Sequence, residues 1–207
     1  MAIIDEDDYL VAVNKPFNLL SVPGRGEHKQ DCVVSRLQQR YADIRVVHRL
    51  DCHTSGLMLL ARGLEAQRRL SRLFHDRRVD KRYIAVVEGE VHTEQGVIDI
   101  PLRGDPENRP VQVVDCIHGK PAQTRWRLQK KEGGSGSPMS RLILQPLTGR
   151  THQLRVHCMA MGHPIVGDRL YNSAGHRAGR MMLHADRLEF VHPFSNRPLR
   201  LLAECEF

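Results

Sequence analysis

Short runs of apolar residues, several of them alternating with polar ones, recur along most of this chain and predict β-strands. Runs of this kind, bounded by glycine, proline and other turn-forming residues, are typical of strands with at least one buried face. The predicted strands cover residues 9–14, 57–61, 82–88, 96–102, 111–116, 124–129, 141–145, 187–191 and 199–203. The run 57–61 contains no polar residue, so we expect that strand to be buried.

Apolar residues at helical spacing predict three helices. The first follows Asp31, whose side chain we expect to cap its first turn. Its apolar face consists of Val33, Val34, Leu37 and Tyr41. The second covers residues 64–74, with Leu70, Leu73 and Phe74 directed inward. The third covers residues 151–161 and ends at Gly162, a residue type that commonly follows a helix.

The order and number of these elements indicate the fold class. Many strands and few helices in mixed order predict an α+β fold with a mostly antiparallel sheet. A length of 207 residues suits one domain, or one domain with two lobes, so we expect a single domain over residues 1–207. The glycine- and serine-rich segment 132–138 lies between two predicted strands, and we interpret it as a flexible hairpin loop.

The charge of the chain favours a polyanionic partner. Lysine and arginine number 31 against 24 acidic residues, for a formal net charge of +7. A soluble basic protein without such a partner is the alternative. We expect a cytoplasmic protein, because the first residues are acidic, no run is long enough to span a membrane, and the five cysteines form no CxxC pair.

One carboxylate stands at a position where rigid support is expected. Asp51 lies between Arg49 and the turn-forming segment 54–56, and the buried strand at 57–61 follows directly. A carboxylate on a tight turn anchored by a core strand is held in place, as a catalytic group must be. The alternative is that Asp51 caps the turn and pairs with Arg49, since structural ion pairs are common.

The run from His48 to Ala61 resembles the HRLDxxTSG signature of the RluA family of pseudouridine synthases. Further blocks resemble that family in the same order along the chain. They lie at residues 13–16, 20–24, 81–85, 147–157, 162–168 and 183–185. The resemblance implies a pseudouridine synthase fold, with a central mixed sheet, flanking helices and a catalytic cleft between two lobes. It also implies a catalytic domain alone, because a first strand at about Tyr9 leaves no room for an N-terminal S4-type RNA-binding domain.

Pseudouridine formation breaks the N-glycosidic bond of a uridine and rejoins the uracil through C5, with no change of oxidation state and no added atoms. The resemblance implies that Asp51 is the nucleophile, that Tyr83 stacks on the target uracil, and that Arg150 is the cationic partner of Asp51. It also implies that Arg49 enters the space left by the extruded base, and that Leu183 packs against the uracil. A core position for Tyr83 or Leu183, and a salt bridge for Arg49, are the alternatives. We expect no metal and no other cofactor.

A basic segment directly precedes Tyr83 and is a candidate for binding RNA phosphates. Its cations are Arg62, Arg68, Arg69, Arg72, Arg77, Arg78, Lys81 and Arg82. A solvated helix face is the usual meaning of such a run. With only Glu65, Asp76 and Asp80 as nearby acids, we favour an RNA-binding face.

The chain most resembles the dual-specificity branch of the family. That branch implies two targets, position 32 in the tRNA anticodon loop and uridine 746 in a 23S rRNA hairpin, modified by a monomer. A synthase acting on another tRNA arm is the nearest alternative, and a non-catalytic RNA-binding or chaperone protein is the alternative of another class. The discriminating feature is Asp51, which a chaperone does not need.

Two further chemistries are weighed against this one. Histidine, aspartate and cysteine side chains could be grouped into a zinc site made of His48, Asp51, His53, His152, His157 and Cys158. Their spacing matches none of the usual helical zinc-ligand patterns, and twelve histidines make chance groupings common. A thiol nucleophile at Cys52 lacks an assigned base.

Overall fold

The computed structural model of the protein describes residues 1–133, 137–175 and 178–207. They form two compact units, the first made of Met1–Lys81 and His184–Phe207 and the second of Arg82–Leu183. Both are sheets with few helices, which confirms the α+β prediction. Among the described residues, no helix is long and apolar enough to cross a membrane.

Twelve strands and three α-helices are found in the described part of the chain. The strands are β1 (Ala2–Glu6), β2 (Leu10–Lys15), β3 (Ile44–Val46), β4 (Ser55–Arg62), β5 (Asp80–Glu88), β6 (Gln95–Asp99), β7 (Leu102–Gly104), β8 (Gln112–Val114), β9 (Gln123–Glu132), β10 (Met139–Pro146), β11 (Leu183–Val191) and β12 (Pro198–Leu202). The helices are α1 (Val33–Gln38), α2 (Gly63–His75) and α3 (Gln153–Ala160), and a 3₁₀ turn covers Glu27–Lys29.

Strand β4 is the centre of the first unit. It pairs antiparallel with β2 and β3 and parallel with β11, and β1 and β12 extend the sheet on its two sides. The five apolar residues 57–61 are fully buried, as their composition predicted. Gly56 has φ +109°, and a Cβ there would lie 2.2 Å from the carbonyl oxygen of Ala185. A glycine is therefore required where β4 meets β11.

The second unit holds an antiparallel sheet in the order β5-β10-β9-β6 and a small sheet of β7 and β8. Helix α3 is buried, and Arg155 in it forms two hydrogen bonds of 2.7 Å with the carboxylate of Asp168. Both side chains are almost fully buried, so the charge of each is compensated by the charge of the other. The pair fixes the segment after α3 to the helix.

Most predicted elements are confirmed, and the differences have local causes. Strands β1 and β3 were not predicted, because they are short and lack a clear apolar pattern. The strand predicted over residues 96–102 is two strands, β6 and β7, separated at Ile100–Pro101, where proline has no N–H to donate to a partner strand. Residues 134–136 of the predicted loop at 132–138 lie outside the described residues.

The predicted cap of the first helix is wrong. The N-cap of α1 is Cys32, whose sulfur accepts a hydrogen bond from the backbone N–H of Ser35. Asp31 instead forms a bidentate ion pair with Arg36, with both contacts at 2.7 Å. The charged partner five residues further along competes for the carboxylate and takes it away from the helix end.

Candidate active site

Asp51 lies in the connection between β3 and β4, four residues before β4 begins. The backbone N–H of Thr54 donates to the carbonyl oxygen of Asp51 at 3.1 Å and closes a turn. The preceding Leu50 is buried and exchanges two hydrogen bonds with the hydroxyl of Ser21, at 2.7 Å and 3.1 Å. The half-buried carboxylate therefore stands on a turn fixed on both sides.

A buried lysine, Lys15, supports this turn through hydrogen bonds. Lys15, at the end of β2, has no exposed surface. Its ammonium donates to the carbonyl oxygens of Pro16 at 3.0 Å, Leu19 at 2.8 Å and Cys52 at 3.0 Å. Cys52 follows Asp51 directly, so the three N–H groups of one ammonium tie the turn to β2 and to its following loop.

Burial lowers the pKa of the Lys15 ammonium to about 8, while the nearby Cys52 and Asp51 act in the opposite direction. The charged form is kept at neutral pH because three carbonyl dipoles and a neighbouring carboxylate offset part of the desolvation. Lys15 is thus a positioning residue for the Asp51 turn, and its positive charge lies near the carboxylate.

We expect the Lys15→Met variant to be less stable and to lose most of its turnover, because three carbonyl oxygens and the Asp51 turn lose their donor. Removing a buried charged donor costs about 3 kcal/mol or more. Denaturant unfolding and steady-state turnover measure the two effects. The exposed Lys29→Met variant is the control and should change neither. Unchanged turnover in Lys15→Met would show that the ammonium does not position the turn.

Lys15 also predicts how turnover and the free energy of unfolding depend on pH. Above about pH 8 the neutral amine has two N–H groups for three carbonyls, so turnover should decline with a midpoint near that pH. Between about pH 8 and 10.5 the unfolded chain keeps a proton that the folded chain has released. The contribution of Lys15 to the free energy of unfolding therefore rises with pH. Across this pH range turnover should fall while the contribution of Lys15 to the free energy of unfolding rises. A parallel decline of turnover and stability would contradict the role given to Lys15.

His48, the first residue of the HRLDxxTSG-like run, fixes the other end of the connection between β3 and β4. Its Nε2 accepts a hydrogen bond of 2.9 Å from the backbone N–H of Leu59, and its ring stacks on Phe74 at 4.4 Å. Burial, with a smaller contribution from the charge of Lys81, lowers the pKa of His48 to about 3. The imidazole is therefore neutral at physiological pH and remains an acceptor.

The pairing of β4 with β11 is also held by a buried histidine. The Nδ1 of His184 lies 2.9 Å from the hydroxyl of Ser55, and its Nε2 lies 3.2 Å from the carbonyl oxygen of Ala203. The carbonyl can only accept, so Nε2 carries the proton and Nδ1 accepts from the serine when the ring is neutral. Ser55 is the serine of the Thr-Ser-Gly turn, so this contact fixes the start of β4.

Arg49 does not neutralise Asp51 in this structure. Its side chain is exposed and has no ion-pair partner within residues 1–133, 137–175 and 178–207. The alternative in which the two residues form a structural ion pair is therefore wrong.

In the second unit, Arg150 lies three residues before α3. Its backbone N–H donates to Oε1 of Gln153 at 3.0 Å, and its Nε donates to the carbonyl oxygen of Pro121 at 3.0 Å. Gln153 is buried and donates in turn to Gln123 and Thr124. Within this unit, the terminal nitrogens of Arg150 have no hydrogen-bond partner among the described residues. The guanidinium is thus oriented at Nε, with two nitrogens left to contact an anion.

Tyr83 and Leu183, the other two predicted substrate contacts, also belong to the second unit. Tyr83 is half-buried on β5, opposite Leu144 of β10. Leu183 is almost fully buried at the start of β11, with 3% of its surface exposed.

The predicted cations lie mainly on α2 and just after it, and part of their charge is neutralised. Arg69 pairs with Glu65 at 2.8 Å, and Arg68 approaches the same carboxylate at 4.0 Å. Other ion pairs join Arg62 to Asp43 at 3.8 Å and Arg72 to Asp76 at 3.5 Å. Arg77 and Arg78 are exposed, whereas Arg82 and Lys81 are half-buried, and burial lowers the pKa of Lys81. The face keeps an excess of positive charge.

Two of the histidines considered as zinc ligands, His48 and His157, are engaged elsewhere. Nε2 of His48 is bonded to the Leu59 amide, and the two ring nitrogens of His157 are bonded to Thr124 and to the carbonyl oxygen of Ile100. No group of three or more metal-ligating side chains occurs in the part of the chain that the structure describes.

Sequence reasoning did not identify Lys15, Ser21 and His184 as supports of the site. A lysine directly after the predicted strand 9–14 and before a proline is a weak signal for a buried cation, since most lysines are exposed. Ser21 and His184 lie 29 and 129 residues from their hydrogen-bond partners, and no local pattern reports such pairs.

Comparisons with known proteins show the family to which the chain is similar. The family model described as RNA pseudouridylate synthase matches residues 9–160. A Vibrio vulnificus protein named dual-specificity RNA pseudouridine synthase RluA is 48% identical over 208 residues, covering 99% of this chain and 83% of the relative. An Escherichia coli K12 protein of the same name is 43% identical, covering 100% of this chain and 94% of the relative.

Solved structures show the same fold. Human RNA pseudouridylate synthase domain containing 1 has a TM-score of 0.83 at 32% identity, covering 98% of this chain and 82% of that one. Human RNA pseudouridylate synthase domain containing 4 has a TM-score of 0.77 at 25% identity, covering 98% of this chain and 88% of that one.

Proposed function

Since this chain belongs to the RNA pseudouridylate synthase family and is an RNA-modifying isomerase, we propose that it modifies two uridines, one in the anticodon loop of tRNA and one in a hairpin of 23S rRNA. The proposal rests on the likeness to the dual-specificity relatives over nearly the whole chain. Two such loops can be recognised through a shared shape, because RNA loops are bound mainly through splayed bases and backbone geometry.

The observation that carries the catalytic assignment is the support of the Asp51 turn. Lys15 ties Cys52 to β2, and Ser21 ties Leu50 to the loop after β2. A turn held on both sides of one carboxylate costs little reorganisation during reaction, which favours a reacting group over a simple turn cap.

In the proposed reaction Asp51 is the nucleophile, and the bond that its carboxylate forms with the substrate is broken again before the product is released. The C1′–N1 bond of the uridine breaks, the uracil rotates, and a C1′–C5 bond forms. C5 then loses its proton and N1 gains one, so atoms and electrons balance without a co-reactant. We propose that Tyr83 stacks on the uracil and that Arg150 supplies the positive charge that keeps the carboxylate ionised. Leu183 is proposed as an apolar contact of the base.

The RNA is proposed to bind through the basic residues of α2 and the segment after it. The proposed phosphate contacts are Arg62, Arg68, Arg69, Arg72, Arg77, Arg78 and Lys81. A uridine in a stacked loop must be flipped out before a carboxylate can reach it, at a cost of a few kcal/mol. We propose that Arg49, which is exposed beside Asp51, fills the vacated space. We propose that the protein acts as a monomer in the cytoplasm and that the reaction needs no metal.

Release of tritium from RNA labelled at uridine C5 tests the substrates. We expect release from both a tRNA transcript and the 23S rRNA hairpin, undiminished after exhaustive treatment with EDTA. Replacing the target uridine in each RNA by cytidine is the control and should abolish release. Release from a different tRNA arm would indicate the other tRNA specificity. RNA binding with no release from any RNA would favour a chaperone.

A further inference from the structure

Gln153, the first residue of α3, is bonded to both backbone groups of Arg150. Its backbone N–H donates to the carbonyl oxygen of Arg150 at 3.1 Å, and its side-chain Oε1 accepts from the N–H of Arg150 at 3.0 Å. Only 4% of the surface of Gln153 is exposed, although glutamine usually lies on protein surfaces. A buried residue with two hydrogen bonds to one neighbour constrains the backbone of that neighbour.

The side-chain amide of Gln153 uses all four of its hydrogen-bonding positions. Oε1 also accepts from the hydroxyl of Thr148 at 2.7 Å, and Nε2 donates to the carbonyl oxygen of Gln123 and the hydroxyl oxygen of Thr124, both at 3.0 Å. An amide offers two acceptor and two donor positions, so each of them has a partner. Reversing the amide would direct its NH2 group at the N–H of Arg150 and its oxygen at a carbonyl. Only one orientation of the amide is therefore compatible with these partners.

The hydrogen-bond network continues from this amide into the core of the second unit. Because the hydroxyl oxygen of Thr124 accepts from Gln153, its own proton donates to Nδ1 of His157 at 2.9 Å. Nε2 of His157 then carries a proton and donates to the carbonyl oxygen of Ile100 at 3.1 Å. Burial lowers the pKa of His157, against smaller contributions from Ile100 and Asp99, so the ring is neutral at physiological pH. A buried network in which every donor has an acceptor is rigid.

Gln153 thereby joins the two points that hold the Arg150 side chain. The guanidinium donates from Nε to the carbonyl oxygen of Pro121, and Pro121 lies two residues before Gln123 in the segment that Gln153 holds. The backbone of Arg150 and the carbonyl that receives its guanidinium are therefore fixed relative to each other through one amide. A side chain held at its backbone and at its Nε has few rotamers left.

We propose that Gln153 is the positioning residue of Arg150 and that its amide sets the direction in which the guanidinium is presented. The proposal rests on the proposed function, in which Arg150 supplies positive charge to the carboxylate of Asp51. Electrostatic stabilisation requires charges that are in place before the reaction begins, because moving them during the reaction costs free energy. In this role Gln153 does not contact the substrate, and its effect on turnover passes through Arg150.

A double-mutant cycle on kcat tests this role. Gln153→Met keeps the length of the side chain and removes its four side-chain hydrogen bonds. It should lower kcat about tenfold, equivalent to about 1.4 kcal/mol, with a much smaller change in KM. In the Arg150→Met background the same substitution should change kcat by no more than about twofold, because the group that Gln153 positions is absent.

Thr124→Val is a milder second variant, which keeps the test decisive if Gln153→Met does not fold. Valine has nearly the shape of threonine, so the substitution removes one acceptor of the Gln153 amide and the donor to His157. It should lower kcat less than Gln153→Met does. Its effect on kcat should likewise disappear in the Arg150→Met background.

The control is Ser140→Ala, which removes a buried hydroxyl elsewhere in the same unit. Ser140 lies near the start of β10, whereas Arg150 follows the end of that strand, and its hydroxyl is bonded to the backbone of Gly89 and Val91. Ser140→Ala should lower the free energy of unfolding and leave kcat unchanged in both backgrounds.

Equal losses of kcat in the two backgrounds, or no loss in either, would overturn the role of Gln153 while leaving that of Arg150 intact. An unchanged kcat in Arg150→Met alone would instead refute the proposed role of Arg150, and the role of Gln153 with it. The two failures are thus seen in different variants.

Discussion

Replacement of Asp51 by asparagine is expected to abolish pseudouridine formation while RNA affinity stays within a few-fold. Asparagine keeps the size and shape of the side chain but has no negative charge and is not a nucleophile. The turn itself should survive, because Lys15, Ser21 and Thr54 hold it through backbone groups. Loss of a nucleophile costs on the order of 10⁴-fold or more in turnover.

Single-turnover tritium release at saturating enzyme is the measurement, with binding followed separately. The matched control is Asp31→Asn, which removes the charge of an exposed carboxylate in the same unit and should leave turnover unchanged. A rate near that of the unaltered protein in Asp51→Asn would exclude Asp51 as the nucleophile. The non-catalytic alternative predicts no difference between Asp51→Asn and the unaltered protein. This one variant therefore separates the two classes of function.

Replacement of Arg150 by methionine is expected to lower kcat by about 10²–10³-fold, the usual effect of removing one preorganised electrostatic group. Methionine keeps an unbranched apolar stem but removes the charge and the hydrogen bond from Nε to the carbonyl oxygen of Pro121. If Arg150 balances the charge on Asp51 as proposed, KM should change much less than kcat, because the lost interaction serves the reacting carboxylate.

Arg150→Lys should recover only part of the loss. Lysine restores a point charge, but it cannot both contact Pro121 and offer two parallel N–H groups to a carboxylate. Arg125→Met, on β9 of the same unit, removes an exposed arginine and serves as the control. An unchanged kcat in Arg150→Met would refute the proposed role of Arg150.

The basic helix shows how far local patterns lead. Its periodicity predicted α2 and its buried residues Leu70 and Leu73 correctly, because helical spacing sorts apolar from charged side chains without reference to the rest of the chain. The ion pairs of Arg62 and Arg69 were not predicted, and neither was the hydrogen bond from Arg69 to the carbonyl oxygen of Pro193. That hydrogen bond needs the turn after β11, which lies 124 residues further along the chain.

The sequence by itself determined the family, the α+β class and the position of the candidate nucleophile. These features depend on contiguous motifs and on the spacing of apolar residues, which a linear chain displays directly. The match of residues 9–160 to the family model confirms the resemblance.

Only the tertiary structure decided what supports Asp51. Lys15 reaches Cys52 across 37 residues, and Ser55 meets His184 across 129. Such contacts arise because β2, β4 and β11 lie side by side in one sheet. A lysine or histidine has the same local pattern whether it is exposed or buried. Its hydrogen bonds and its pKa depend on the burial and the distant carbonyl groups that folding brings to it.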